Sequence, residues 1–149
     1  MINIQISENL SSEIPTDALV RAASESLAYQ NAPEDSDLTV LLTGDEQLHQ
    51  LNLEYLDIDA PTDVLAFPAD YVDPDTESVY LGDILISMER ASLQAQAGGH
   101  SIGNELELLV VHGVLHLLGH DHTEPDEKTK MWTAQTEILA RLGNPLSPP

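Results

Sequence analysis

The run from Leu106 to Leu118 contains no proline and one carboxylate, Glu107, and it leads directly into a cluster of histidines. A stretch this apolar and this long hides its side chains most economically as a helix inside a folded core. Four of the six histidines fall within residues 111–122, which read Val-His-Gly-Val-Leu-His-Leu-Leu-Gly-His-Asp-His. On a helix His112 and His116 stand one turn apart on one face, near enough to share an ion. Gly119 follows the last apolar residues, where glycine takes up a left-handed conformation cheaply and lets the chain turn. That turn brings His120 or His122 back toward the same point. Three neutral imidazoles favour zinc, other divalent metals remaining open, and three protein ligands leave a fourth position free, as in catalytic rather than structural zinc sites. The spacing of His112, His116, Gly119 and His122 is that of the metzincin proteases. Those enzymes place a glutamate directly after the first histidine as general base, and this chain has Gly113 there.

The absence of cysteine leaves histidine and carboxylate as the metal-ligating residue types and removes disulfides and a thiol nucleophile. No apolar run approaches the roughly 20 residues of a membrane span, so no membrane partner is expected. Met1 to Ile6 alternates like a strand and shows no secretion signal, which predicts a cytoplasmic protein. A chain of 149 residues suits a single domain, expected here over residues 1–143 with a flexible proline-rich tail at 144–149.

Charge is the second constraint. Twenty-six acidic residues against five basic ones give a formal net charge of -21, and the cations Arg21, Arg90, Lys128, Lys130 and Arg141 form no basic cluster. Binding a phosphate backbone by counterion release normally needs such a cluster. Screening shortens the repulsion to about 8 Å at physiological salt, so a local site can still work beside an acidic surface.

Alternation at Ile2, Ile4 and Ile6 predicts a first strand, and Thr16 as N-cap predicts a helix over 17–30. Leu38–Leu42 reads as an inner strand. Thr43 and Glu46 have capping-box spacing ahead of a helix carrying Leu48, Leu51, Tyr55 and Leu56, with His49 exposed and without function. Val64–Phe67 reads as a strand closed by Pro68, followed by a long acidic loop over 68–78, either a mobile loop near a site mouth or a plain solvated hairpin loop, and a fourth strand over 79–86. Ser87 caps a helix ended by Gly98 and Gly99, His100 falls in a loop, and Pro125 opens a last helix whose packed face includes Met131, Trp132, Gln135, Ile138 and Leu139. The expected fold is α+β, a mixed sheet of about four strands packed with helices, the metal site lying on a central helix and its following turn.

The segment His112 to His122 resembles the signature of the YbeY family of bacterial rRNA maturation factors. Other blocks agree in order and spacing: Leu51-Asn52 with Tyr55, Pro61 to Pro68, Leu81 to Ser87, and Glu105-Leu106. The resemblance covers Leu51 to His122. It implies a zinc-dependent endoribonuclease specific for single strands, acting in 16S rRNA 3′-end maturation and ribosome quality control. Its implied metal ligands are His112, His116 and His122, and its implied partners are ribosomal RNA, the small ribosomal subunit and assembly factors. Two positions depart from the family pattern: Leu56 stands where an arginine is usual, and Ala66 where serine is usual. Asp121 is expected to orient a ligand or the turn. Asp63 and Asp83 are candidate general bases, with capping or turn hydrogen bonds as their alternative roles. Two other functions compete: a ribosome-assembly factor with little or no cleavage, suggested by Leu56 and the charge, and a metal-dependent peptidase or small-substrate hydrolase, suggested by the metzincin spacing and weakened by Gly113.

Overall fold

The computed structural model describes residues 1–8, 10 and 14–146. Its elements run β1 (Ile2–Ile6), α1 (Thr16–Tyr29), β2 (Ser36–Thr43), α2 (Asp45–Leu56), β3 (Val64–Val72), β4 (Val79–Ser87), α3 (Met88–Gly98), α4 (Ile102–Leu117) and α5 (Pro125–Arg141). The four strands lie in the order β1-β2-β4-β3, with β1 parallel to β2, β2 parallel to β4 and β3 antiparallel to β4. The result is the α+β domain expected, with a mixed four-stranded sheet.

The two sheet faces are covered unequally. Leu38, Val40 and Leu42 of β2 and Ile84 and Ile86 of β4 turn to one face, where they form one core with α1, α3, α4 and α5. On the other face Leu85 and Leu65 meet Leu48 of α2 in a small second cluster. Helix α4 is the central member of the larger core, and Val110, Val111, Val114 and Leu115 are all fully buried. Gly113 makes its close approach to the sheet possible, because a Cβ there would stand 2.7 Å from Ile84 Cγ2.

Several local expectations change in detail. Helix α1 begins at Thr16 itself, after Pro15, and no side chain caps it. The Thr43/Glu46 capping box does not form. Gly44 is the N-cap of α2, the Thr43 hydroxyl donates to Gln47 Oε1 at 2.7 Å, and the Asp45 N–H is satisfied by Glu89 of α3 at 3.0 Å. Strand β3 does not close at Pro68. It is an edge strand, where a missing N–H is tolerated, and after an irregularity between Pro68 and Tyr71 its pairing resumes opposite Tyr80. Of the two readings of the acidic segment the hairpin holds, its turn tied by Asp73, whose backbone N–H donates to Ser78 O and whose carboxylate accepts the Asp75 N–H. Ser87 caps α3 as expected, its hydroxyl accepting the Arg90 N–H at 3.2 Å.

Two residues of the segment expected as a tail, Asn144 and Leu146, pack on the domain. Asn144 is buried and donates to the Asn104 carbonyl at 3.0 Å, tying the end of α5 to α4, and Leu146 packs against the main core. Buried amide and apolar surface hold these residues, which proline content alone does not reveal. Residues 147–149 lie outside the described part of the chain.

Candidate metal centre and adjoining cleft

Helix α4 starts at Ser101, whose hydroxyl accepts the Asn104 N–H at 3.1 Å, and ends in a Schellman turn. The Gly119 N–H bonds the His116 carbonyl at 3.0 Å, the His120 N–H bonds the Leu115 carbonyl at 2.9 Å, and Gly119 sits at φ +99°. A side chain at that φ is strained, so glycine allows the reversal that folds residues 120–122 back toward the helix.

That reversal brings His122 beside the two helical histidines. Ligand nitrogens of His112, His116 and His122 all lie within 4.8 Å of one another, and the Nε2 atoms of His112 and His116 are 3.1 Å apart. His120, the other residue the spacing left open, is not in the group. Burial lowers the affinity of His112 for a proton, against smaller raising effects from Gln135 and Asp63. Burial and then the neighbouring His112 and His122 pull His116 down to about 4. Both imidazoles are thus neutral at physiological pH, their lone pairs available to a cation. Two neutral nitrogens facing each other gain little by themselves, so the donor set fits a divalent metal ion.

The supporting groups come from α5 and from the turn after α4. His112 Nδ1 lies 3.0 Å from Oε1 of Gln135, a buried residue of α5, so Nδ1–H can donate to the amide oxygen and leave Nε2 as the ligand atom. Gln135 is visible in the sequence only as part of a packed helix face; its polar atoms on an otherwise apolar stripe are the one clue to this role. The Asp121 carboxylate accepts the His122 N–H at 2.7 Å and the Thr123 hydroxyl at 3.2 Å. It holds the turn that carries His122, and those bonds, the backbone N–H foremost, keep it below the usual carboxylate range. The Trp132 ring closes the outer side, its centroid 5.6 Å from that of His122 and 6.1 Å from that of His112.

The two candidate general bases part company. Asp63, just before β3, lines a cleft of about 330 Å³ together with His112, Trp132, Gln94, His100 and Glu105. Its Oδ1 accepts the Val64 N–H at 2.8 Å and its Oδ2 accepts the Gln94 amide at 3.2 Å. Asp83 lies elsewhere. On β4 it stands opposite Thr39 and Phe67, alternating with Leu85, so it belongs to the sheet face covered by α2, and it accepts the Tyr80 hydroxyl. The sheet separates Asp83 from the histidines, which removes it from the candidate site.

Other sequence candidates also find their places. His100 reaches the cleft wall after all, with Nε2 at 2.7 Å from Oε1 of the buried Glu105, and its ring lies so close over Gly98 that a Cβ there would be 2.5 Å away. His49 pairs with Asp59 at 2.7 Å on the surface. Leu56 is exposed at the end of α2, and Tyr55 beside it packs edge-on against Phe67 at 5.4 Å between ring centroids. Gly113 faces Ile84 rather than the cleft, so the position where a metzincin carries its glutamate has no room for a side chain. Among the described residues no helix is long and apolar enough to cross a membrane.

Residues 2–143 match the family described as Endoribonuclease YbeY. The chain is 42% identical over 151 aligned residues to Endoribonuclease YbeY of Chloroflexus aurantiacus, covering 97% of this chain and 96% of that one. It is 39% identical to the protein of the same name from Dehalococcoides mccartyi, covering 95% and 92% of the two chains. The solution structure of a Thermotoga maritima protein, 24% identical, superposes with a TM-score of 0.58 over 95% of this chain and 91% of that one, which is a likeness of fold. With the histidine signature in place at the end of α4 and close relatives along its whole length, this chain belongs to the YbeY endoribonuclease family.

Proposed function

We propose that this protein is a metal-dependent endoribonuclease that cleaves single-stranded RNA, with zinc the favoured ion, and that it acts in the maturation of the 3′ end of 16S rRNA and in ribosome quality control. The observation that carries the reading is the convergence of His112, His116 and His122 beside a cleft lined by Asp63. Family membership supports RNA as substrate, and the ribosomal precursor is what the family resemblance implies.

His112, His116 and His122 would hold the ion. When bound, a divalent cation at such a site supplies Lewis-acid polarisation of a phosphate oxygen and lowers the pKa of water toward ~7. The remaining work falls to the chain. Gln135 fixes the His112 tautomer, and Asp121 fixes the turn of His122, so the three nitrogens are set before any ligand arrives. Asp63 is the cleft carboxylate not committed to a histidine, and we assign it the task of taking the proton from the attacking water. Its bonds from Val64 N–H and Gln94 hold the carboxylate in place.

Trp132, the only tryptophan, lies beside two of the three histidines and so reports directly on the site. Titrating metal-free protein with Co²⁺ is expected to quench its fluorescence with a stoichiometry of one, and His116→Ala is expected to abolish the quenching. Quenching that persists in His116→Ala would place the ion elsewhere.

A second reading, an assembly factor with little cleavage, has one observation in its favour: the net charge of -21 opposes RNA binding. Co-sedimentation with small ribosomal subunits in the absence of any RNA cleavage would support it. The peptidase reading loses its ground with Gly113, whose position opens onto the sheet and not onto the site.

A further inference from the structure

An RNA strand approaching this protein meets a strongly negative molecule, so the location of the five cations decides where a phosphate can be held. Three are engaged away from the metal centre. Arg90 Nε lies 3.3 Å from Asp45 at the start of α2. Arg141 covers the Tyr29 ring at 5.1 Å, and Arg21 donates to the Arg141 carbonyl at 3.3 Å. Those two lie at the C-terminal end of α5, roughly 20 Å along the helix from its first turn.

The other two, Lys128 and Lys130, stand near that first turn, beside the histidine-bearing turn. They point to opposite sides of the helix, since two residues turn it by about 200°. Lys130 lies on the side of His120. Lys128 lies on the side of Trp132, its Nζ 5.6 Å from the ring centroid, and that ring is itself 5.6 Å from His122. Glu124, Asp126 and Glu127 are its neighbours in sequence, yet among the described residues Lys128 makes no ion pair within 4.0 Å. A cation resting on an aromatic face is held by the ring quadrupole while its N–H donors stay free for another acceptor.

We propose that Lys128, seated on Trp132 at the rim of the metal centre, is the phosphate-binding cation of this site and takes one backbone phosphate of a single-stranded RNA lying across the cleft. The inference rests on the endoribonuclease reading above and supplies the positive charge that reading otherwise lacks. Lys128 is a binding residue: it neutralises one phosphate and positions the strand, and no bond is made or broken at it.

The test is binding of a fluorescein-labelled, uncleavable 2′-O-methyl oligonucleotide to zinc-loaded protein, followed by anisotropy between about 50 and 200 mM salt. Cleavage of the matching RNA is measured alongside. Wild type, Lys128→Gln, Lys128→Arg and Lys130→Gln are compared after thermal melts confirm equal folding. Lys128→Gln is expected to weaken binding about five- to tenfold at the lowest salt and to reduce the slope of log K against log salt by ~0.7, the value for one phosphate contact on a single strand. Lys128→Arg is expected to restore both, and Lys130→Gln to match wild type. If wild type binds and cleaves RNA while Lys128→Gln shows the same affinity and slope, Lys128 is not the phosphate ligand, and the endoribonuclease reading stands without it. If wild type neither binds nor cleaves single-stranded RNA, that reading falls and this proposal falls with it.

Discussion

The two faces of the sheet differ in depth, and the histidine cluster lies on the deep one. On that face α4 is buried along most of its length, with α1 and α5 packed against it and β4 beneath. On the other face α2 packs its Leu48 on Leu65 and Leu85, with Leu41, Leu51 and Phe67 partly buried around them, and leaves Leu53, Tyr55 and Leu56 exposed. A metal centre needs ligands fixed to fractions of an ångström, which requires rotamers locked by surrounding packing. His112 and His116 obtain that from a helix whose neighbouring residues Val111, Val114 and Leu115 have no exposed surface. Among the described residues nothing on the α2 face offers comparable support, and Asp83, which lies there, is bonded to Tyr80 within the sheet.

Asp63 and Asp83 sharpen this contrast, because in sequence they look alike: each begins or interrupts an apolar strand. Asp63→Asn keeps the size of the side chain and an acceptor for the Val64 N–H while removing the proton acceptor. It is expected to lower RNA cleavage about 100-fold, within the range for loss of a general base. Asp83→Asn is expected to leave cleavage within about twofold of wild type, since the carboxylate faces away from the site. Single-turnover rates on one labelled RNA compare the two directly, and equal losses would mean that the sheet does not divide function as described.

Gln135→Leu probes how far the deep face supports the metal. The apolar replacement fills similar volume and removes only the acceptor for His112 Nδ1–H. Loss of such a supporting acceptor costs roughly ten- to a hundredfold in metal affinity, and we expect the low end here because the other two histidines keep their own support. Competition with a chromogenic chelator measures it, and unchanged affinity would make Gln135 a packing residue only.

A smaller effect follows from pH. In metal-free protein His112 and His116 are held below the ordinary histidine range, His116 at about 4. The folded state then binds fewer protons than the unfolded chain between about 6.5 and 4. The stability this represents is present above about pH 6.5 and is lost as pH falls toward 4. The readout is the difference in Tm between wild type and His116→Asn, which cancels whatever the two proteins share. Wild type should lose more than the variant between pH 7 and 5, and parallel curves would show that His116 is not held neutral.

Much of this was legible in the chain. The proline-free apolar run, the one-turn histidine spacing and Gly119 specify a helix, two ligands and a reversal, because each depends on local backbone geometry that neighbouring residues determine. The sidedness of Asp83 was not legible. An irregularity opposite Gly82, where φ is +139° and a Cβ would collide with the Phe67 carbonyl, resets the alternation of β4, and only the paired sheet reveals it. The role of Gln135 depends on where α5 lands on α4, twenty-three residues on from His112. The extension of β3 past Pro68 depends on its being an edge strand, and the packing of Asn144 and Leu146 depends on a groove made by other elements. Each of these is a product of tertiary pairing, on which local composition carries little information.

Whether the three histidines make this chain a metal-dependent endoribonuclease is decided by cleavage of an RNA carrying the 16S 3′ end with its unprocessed extension. Zinc-loaded wild type, chelator-treated wild type and zinc-treated His116→Ala are compared on that precursor and on a fully paired duplex of the same sequence. Cleavage of the single-stranded region is expected from the zinc-loaded wild type alone, with both other samples at least about a thousandfold slower, as for loss of a residue on which the whole catalytic unit depends. Equal cleavage by His116→Ala, or by the chelated protein, would contradict it.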